Sequence, residues 1–291
     1  MRRLLLALCL AGCSVPSPKG PPPLPKYVVG AGYQAGGTWY YPREDFRYEA
    51  TGLAERMPDR TGLTADGEAF DPGAMAAAHQ TLQLPAIARV TNLDSGLQAV
   101  LRINDRGPAS PARLLGLTRR AAERLGLAPG AVARVRVQVE DGPSQALRDR
   151  LQGGAPGLAA APRGRVAAET LAPPAGVGQS GRGRVAPAAF VQAAEPAPEA
   201  APLLPLPDDV QRVPAEPGQL WLRAGQFGQA GYANQIRAKL YGLSPEVEPV
   251  RIGRSQTFRV RAGPFPSVQA ADAALDRAMA AGVTDARIVV E

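Results

Sequence analysis

Histidine occurs once in this 291-residue chain, cysteine twice, and aromatic residues make up only 5% of it. One histidine, His79, with cysteines only at Cys9 and Cys13, cannot assemble a zinc site of the usual nitrogen and sulfur ligands. No metal and no other cofactor is therefore expected. A disulfide framework is excluded as well, because Cys9 falls inside an apolar leader and leaves Cys13 without a mate. The apolar run Leu4 to Leu10 is far short of the roughly 20 residues that a membrane-spanning helix needs. Blocks of basic residues are missing too. The net charge of +7 suits an anionic partner such as a membrane surface, a nucleic acid or a cell-wall polymer. The basic residues are nearly all arginine and scattered, which speaks against nucleic acid. What the chain has in abundance is glycine (32) and proline (30), a sign that much of it is linker around two modest domains.

Met1-Arg2-Arg3 followed by Leu4 to Leu10 reads as a secretory signal over residues 1–12. Leu10-Ala11-Gly12-Cys13 resembles the bacterial lipobox. That resemblance implies cleavage before Cys13, lipid attachment to its sulfur, and, with Ser14 in the next position, sorting to the periplasmic face of the outer membrane. The alternative is an ordinary signal peptide with an incidental cysteine. Residues 13–26 form a proline-rich tether, expected to be extended and stiff.

Residues 27–140 carry the signals of a first folded domain. Ile87 to Thr91 and Ala99 to Ile103 read as strands joined by the turn Asn92-Leu93-Asp94-Ser95-Gly96. Val132 to Val139 alternates apolar and polar residues, as a half-buried strand does. Asp71-Pro72 predicts a helix through about Ala78, and Thr118 caps a second over Arg119 to Leu125, ended by Gly126. Short strands with small helices favour a compact β-barrel over a sandwich. Residues 141–216 are rich in Ala, Pro and Gly and are expected to form a disordered linker, Phe190-Val191 being its one apolar patch of note. Residues 217–291 regain periodicity in the order βαββαβ, an α+β unit with both helices on one face of a sheet. Within it, Ala233, Ile236 and Leu240 share one side of the first helix.

Glycosidic cleavage needs a proton donor at the leaving oxygen and a group that stabilises the developing positive sugar; carboxyl groups commonly serve. Glu68, His79 and Asp105 are the candidates. Singly, each has a plainer explanation: Glu68 as a turn residue, His79 as a helix C-terminal residue, Asp105 in an Asx turn or paired with Arg106. Together they stand in Thr64-Ala65-Asp66-Gly67-Glu68-Ala69-Phe70-Asp71, Ala77-Ala78-His79-Gln80-Thr81-Leu82, Arg89-Val90-Thr91-Asn92-Leu93 and Arg102-Ile103-Asn104-Asp105-Arg106-Gly107-Pro108. In one register these blocks resemble the rare lipoprotein A (RlpA) family, with Gly37-Thr38-Trp39-Tyr40-Tyr41-Pro42 and Gly52-Leu53-Ala54 upstream. The resemblance implies a double-psi β-barrel that acts as an endolytic peptidoglycan transglycosylase. It implies Asp105 as the general acid, and Glu68 hydrogen-bonded to His79. Two departures stand out. Glu55-Arg56-Met57-Pro58 replaces the family's Ser-Trp-Tyr-Gly, and Leu115-Gly116-Leu117-Thr118 replaces Ile-Asp-Leu-Ser.

Leu222-Arg223-Ala224-Gly225-Gln226-Phe227 and Phe258-Arg259-Val260-Arg261-Ala262-Gly263-Pro264-Phe265 resemble the first and third strands of a SPOR domain. That family binds glycan strands stripped of their peptides, as found at division septa. Strand alternation puts Arg259 and Arg261 on one face, away from Val260, and Arg223 opposite Leu222 and Ala224. Arg223, Gln226, Arg259 and Arg261 are thus the candidate glycan-binding residues, or else a solvated sheet face. The resemblances together imply a lipid-anchored transglycosylase that cuts denuded strands at the septum to 1,6-anhydro-muramoyl ends. The alternatives are a non-catalytic peptidoglycan-binding tether and an expansin-like loosener.

Overall fold

The computed structural model describes residues 23–153, 203–253 and 255–291. The leader, Cys13 and the Phe190-Val191 patch lie outside the described residues. The chain opens with a hairpin of β1 (Tyr33–Ala35) and β2 (Thr38–Tyr40). There follow β3 (Glu49–Arg56), β4 (Ala76–His79), β5 (Ala86–Asn92), β6 (Leu97–Asp105), β7 (Leu115–Leu117), α1 (Arg119–Arg124) and β8 (Val132–Val139). The strands β4-β7-β3-β8-β5-β6 pair in that order, and β4 pairs again with β6, which closes a barrel of six strands. Two of the pairings, β3–β7 and β4–β6, are parallel in an otherwise antiparallel ring. The interior is filled by small and branched residues, among them Ala77, Leu82, Val90, Leu101, Ile103 and Leu115.

The local signals for the β5–β6 hairpin, for α1 and for β8 correspond to elements of the structure. Thr118 accepts a hydrogen bond from the amide of Ala121 and caps α1, and Gly126 follows it with φ +77°. The helix expected over 71–78 is absent. Asp71 Oδ1 accepts from the Gly73 amide at 2.7 Å, an Asx turn, and Ala76 to His79 form β4. Alanine favours helix in isolation, but here pairing on both edges, with β6 and β7, overrides that preference. The 141–216 linker is folded at both ends. Residues Asp141–Leu151 form helix α2, held by Ser144, whose hydroxyl bonds the Ile87 amide and carbonyl inside the barrel wall. Val210–Arg212 forms β9, which adds to the free N-terminal half of β6. The end of the tether is docked as well: the Leu24 and Lys26 amides donate to the carbonyls of Gly67 and Asp66.

The C-terminal unit contains β10 (Leu220–Phe227), α3 (Ala230–Lys239), β11 (Pro245–Ile252), β12 (Ser255–Phe265), α4 (Val268–Ala280) and β13 (Arg287–Val290). Its antiparallel sheet has the order β11-β12-β10-β13. Leu222, Ala224, Val260 and Ala262 pack against Ala233, Leu240, Ala271 and Leu275 of the helices. Leu53 of the barrel, fully buried, belongs to this same apolar cluster. Around it, Thr51 Oγ1 donates to the Val290 carbonyl at 2.6 Å, and Arg113 forks onto Asp272 at 2.7 and 3.0 Å. The two domains therefore share a packed interface. Leu53→Ala is expected to destabilise the protein by about 2–5 kcal/mol, as loss of a buried leucine does. Chemical denaturation followed by tryptophan emission, to which the buried Trp221 of the C-terminal sheet and the exposed Trp39 both contribute, should register the loss although the change lies in the barrel.

Candidate active site

The site is built on the seam between β4 and β6. Ala76 and Ala77 face Arg102 and Ile103 in register, but Ala78 faces Asp105, so Asn104 is an extra residue on β6. A bulge of this kind re-aims the side chains that follow it. Arg102, Asn104 and Asp105 all reach the loop Thr64 to Glu68 as a result. Arg102 Nη1 lies 3.1 and 3.0 Å from the two oxygens of Glu68, and Asn104 Nδ2 donates to Glu68 Oε2 at 3.1 Å. Asp105 Oδ1 accepts from the amides of Ala65 (3.0 Å) and Arg106 (2.8 Å), while Oδ2 faces Arg60 in a short ion pair. The Arg60 guanidinium lies over the Phe70 ring, 4.5 Å from its centroid. The Asp105 and Glu68 side chains are 12% and 15% exposed and Arg60 is 39% exposed, so Arg60 is the outermost member of the cluster.

The loop itself is tightly tied. Asp66 Oδ1 accepts from Thr64 Oγ1 at 2.6 Å and from the Glu68 amide at 3.0 Å. Gly67 has φ +91°, and a Cβ there would lie 2.5 Å from the Leu24 carbonyl oxygen. Asp66 is fully buried, and burial together with the nearby Glu68 charge raises its pKa to about 7.

His79 does not join Glu68. Ala78 faces Asp105 across the seam, and its neighbour on the strand points to the other side. There His79 Nδ1 accepts from the amides of Thr81 (3.1 Å) and Leu82 (3.2 Å). The ring proton is thereby assigned to Nε2, which lies 3.0 Å from the Tyr48 hydroxyl. Burial, with the charges of Arg106 and Arg287, lowers the His79 pKa to about 3, so the imidazole is neutral. Arg106 also turns from the site and donates to the carbonyls of Val29 (2.6 Å) and Leu82 (2.5 Å). Among the candidates, then, Glu68 and Asp105 meet at the 64–68 loop, and His79 borders a cavity elsewhere. Arg60, Arg102 and Tyr48 escaped the sequence reading. Arg102 stands inside a quoted block, whereas Arg60 and Tyr48 lie outside every motif.

The two departures from the family pattern touch one another. A Cβ on Gly116 would lie 2.7 Å from Cγ of Met57 and 2.9 Å from its sulfur, so Met57 fills the space that a side chain at 116 would need.

On the C-terminal sheet, Arg223 sits opposite Arg261 and Gln226 opposite Arg259, which gathers all four on one face. Each arginine meets a carboxylate. Arg223 lies 2.6 Å and Arg261 3.0 Å from Glu291, Arg261 lies 3.4 Å from Glu246, and Arg259 lies 3.7 Å from Glu248. Gln226 donates to Thr257 Oγ1 at 2.6 Å, and the Arg261 guanidinium lies 4.2 Å from the Trp221 ring centroid.

The family described as lytic transglycolase matches residues 34–137, and the SPOR domain family matches residues 216–288. The endolytic peptidoglycan transglycosylase RlpA of Pseudomonas aeruginosa PAO1 is 37% identical over 246 residues, 81% of this chain and 69% of that protein. RlpA of Escherichia coli K12 is 44% identical over 106 residues, 35% of this chain and 29% of that protein. The crystal structure of the RlpA SPOR domain from Pseudomonas aeruginosa covers 25% of this chain and 99% of its own, with 25% identity and a TM-score of 0.24.

The buried Asp66 generates a pH dependence. Its folded pKa of about 7 stands above the ordinary carboxyl value, so between about pH 4 and 7 the folded state holds a proton that the unfolded state has lost. Stability falls through that window as pH rises. Asp66→Asn keeps the acceptor for Thr64 and Glu68 and removes the titration. The variant is expected to gain stability over the parent toward pH 8 and to match it near pH 4, as measured by urea unfolding across pH. Equal shifts at both pH values would rule out a proton on Asp66.

Proposed function

Because this chain belongs to the RlpA family of endolytic peptidoglycan transglycosylases, we propose that it cuts muramoyl–glucosaminyl bonds within peptide-free glycan strands. The observation that carries this reading is the placement of Asp105. Two backbone amides fix its Oδ1, which leaves Oδ2 as the oxygen that exchanges a proton, behind a part-exposed Arg60. In the proposed reaction Arg60 moves off Oδ2 as the strand enters. Protonated Asp105 gives its proton to the glycosidic oxygen and the C1–O bond breaks. The C6 hydroxyl of the same sugar attacks C1, and its proton returns to Asp105. The product is a 1,6-anhydro end, and water takes no part. Glu68 acts as a positioning residue that ties the 64–68 loop to Arg102 and Asn104. His79, a neutral acceptor for the Thr81 and Leu82 amides, positions the turn after β4.

Asp105→Asn retains the acceptor for both amides but has no proton to give. Anhydro-muramoyl products from purified denuded strands are expected to fall at least about a hundredfold, with sedimentation of the protein on those strands unchanged. Products that persist in the variant would remove Asp105 from the chemistry. The Met57–Gly116 pair favours a second reading, a wall-binding protein that does not cut; it requires that the parent yield no anhydro product at any dose.

The reading extends to place. Leu10-Ala11-Gly12-Cys13 with Ser14 supports a lipid anchor at Cys13 on the periplasmic face of the outer membrane, and the Arg-rich sheet face supports recruitment to septal glycan. A fluorescent fusion of the full chain is expected to gather at midcell, and Arg259→Glu with Arg261→Glu to spread it along the envelope. A parent that is itself spread evenly would argue against septal recruitment.

A further inference from the structure

A cavity of about 810 Å³ opens between the barrel and the sheet face of the C-terminal domain. One wall is β2 with Tyr41 and Arg43 just after it. The opposite wall is the β10–β13 edge of the sheet, including Arg223, Gln226 and Arg287. In a chain with two tryptophans, Trp39 stands at this cavity 56% exposed, stacked with Tyr41, itself 67% exposed. Their ring centroids are 6.3 Å apart and their planes 18° apart, so the two rings stack into one exposed aromatic platform. Between them on the strand, Tyr40 packs inward against Tyr33, so the alternation of β2 turns Trp39 outward.

Behind the platform Thr38 and Tyr40 are more than nine-tenths buried, so the exposed aromatic pair is what this wall offers the cavity. The charge of the cavity is lopsided as well. Five arginines line it against three carboxylates, Asp45, Glu49 and Asp285. Burial and the nearby Arg223 and Arg43 charges lower the pKa of Arg287, so positive charge is crowded where the two domains meet.

We propose that the barrel wall of this interdomain cavity adds a second grip on the glycan: a peptide-free strand seated on the arginines of the C-terminal sheet also lies against Trp39 and Tyr41. The inference rests on the function proposed above, since it extends the binding of the same polymer from the sheet face to the barrel. The apolar faces of pyranose rings match the stacked aromatics. Muramoyl residues without peptide carry free lactyl carboxylates, which match Arg43 and Arg287. The loop from Asp105 to Pro111 joins the two places: Asp105 is the proposed acid at the 64–68 loop, and Pro111 lines this cavity. A strand held here would have one stretch at the sheet and another at the barrel, so both domains would grip one polymer.

The test uses the full chain carrying Asp105→Asn, so that strands are bound and not cut. Affinity is measured for long denuded strands by sedimentation, with tryptophan emission read in parallel. Trp39 is the exposed tryptophan and Trp221 the buried one, so an emission shift to the blue on binding reports the platform. Adding Trp39→Ala with Tyr41→Ala is expected to weaken binding of long strands about tenfold and to abolish the shift. Arg43→Glu, on a side chain 72% exposed, is expected to weaken binding and flatten its salt dependence without touching the platform. If both variants bind long strands as their parent does, the barrel wall of the cavity is not a glycan site. If the parent itself binds no strand, the function proposed above falls and the second grip with it.

Discussion

The structure turns on the seam where β4 meets β6. β4 is only four residues long, yet it closes the barrel by pairing with β7 on one edge and β6 on the other. Closure leaves it no free edge, and its pairing with β6 carries the extra residue Asn104. Without the bulge, Arg102 and Asn104 would face one side and Asp105 the other. With it, all three reach one loop, which brings Glu68 and Asp105 to the same side of the seam. The same alternation sends His79 to the opposite side, so a single geometric fact gathers two of the acidic and basic candidates and separates the third.

A carboxyl group proposed to move a proton has to be held still, and distant parts of the chain converge on the loop beside it. The 64–68 loop carries no regular hydrogen-bond ladder of its own. It is held by β6 from below, by Leu24 and Lys26 from the tether side, and by Arg102, which also reaches the carbonyl of Leu204. Leu204 precedes β9, and Asp208 between them pairs with Arg120 and Arg124 of the barrel's helical segment. The chain therefore returns to the barrel before it enters the C-terminal domain. Both segments that flank the barrel domain, before and after, bear on the loop that carries Glu68, which makes the site sensitive to how the barrel is tethered.

What was legible in the sequence was local. The alternation of Val132 to Val139, the Thr118 cap and the turn ending in Gly96 each need only a few neighbouring residues to specify them, and each corresponds to an element of the fold. The stretch 71–78 misled because its caps and alanines are local helix signals, whereas its actual partners lie about 25 and 40 residues on. The return of β9 and the approach of Arg60 to Asp105 are likewise long-range and leave no periodic trace. In the C-terminal domain the shared face of Arg223, Arg259 and Arg261 follows from strand alternation alone. Their glutamate partners do not, because Glu246, Glu248 and Glu291 come from other strands or the segment after β13.

The two departures from the family pattern reduce to one physical change. Parallel pairing of β3 with β7 sets Glu55 beside Gly116 and Arg56 beside Leu117, so the residue that follows Arg56 necessarily reaches over the β7 backbone. Met57 does so, and its thioether occupies the volume above Gly116, next to Pro108. Methionine is flexible enough to fill such a space. With Met57 in this conformation, a side chain at position 116 requires the thioether to move. Pro108 lies three residues beyond Asp105, so the pair borders the segment that carries the candidate acid. Among the described residues, the donors to the Asp105 carboxyl come from Arg60, Ala65 and Arg106. None belongs to the Met57–Gly116 pair, so the change leaves the hydrogen bonds of Asp105 as they are.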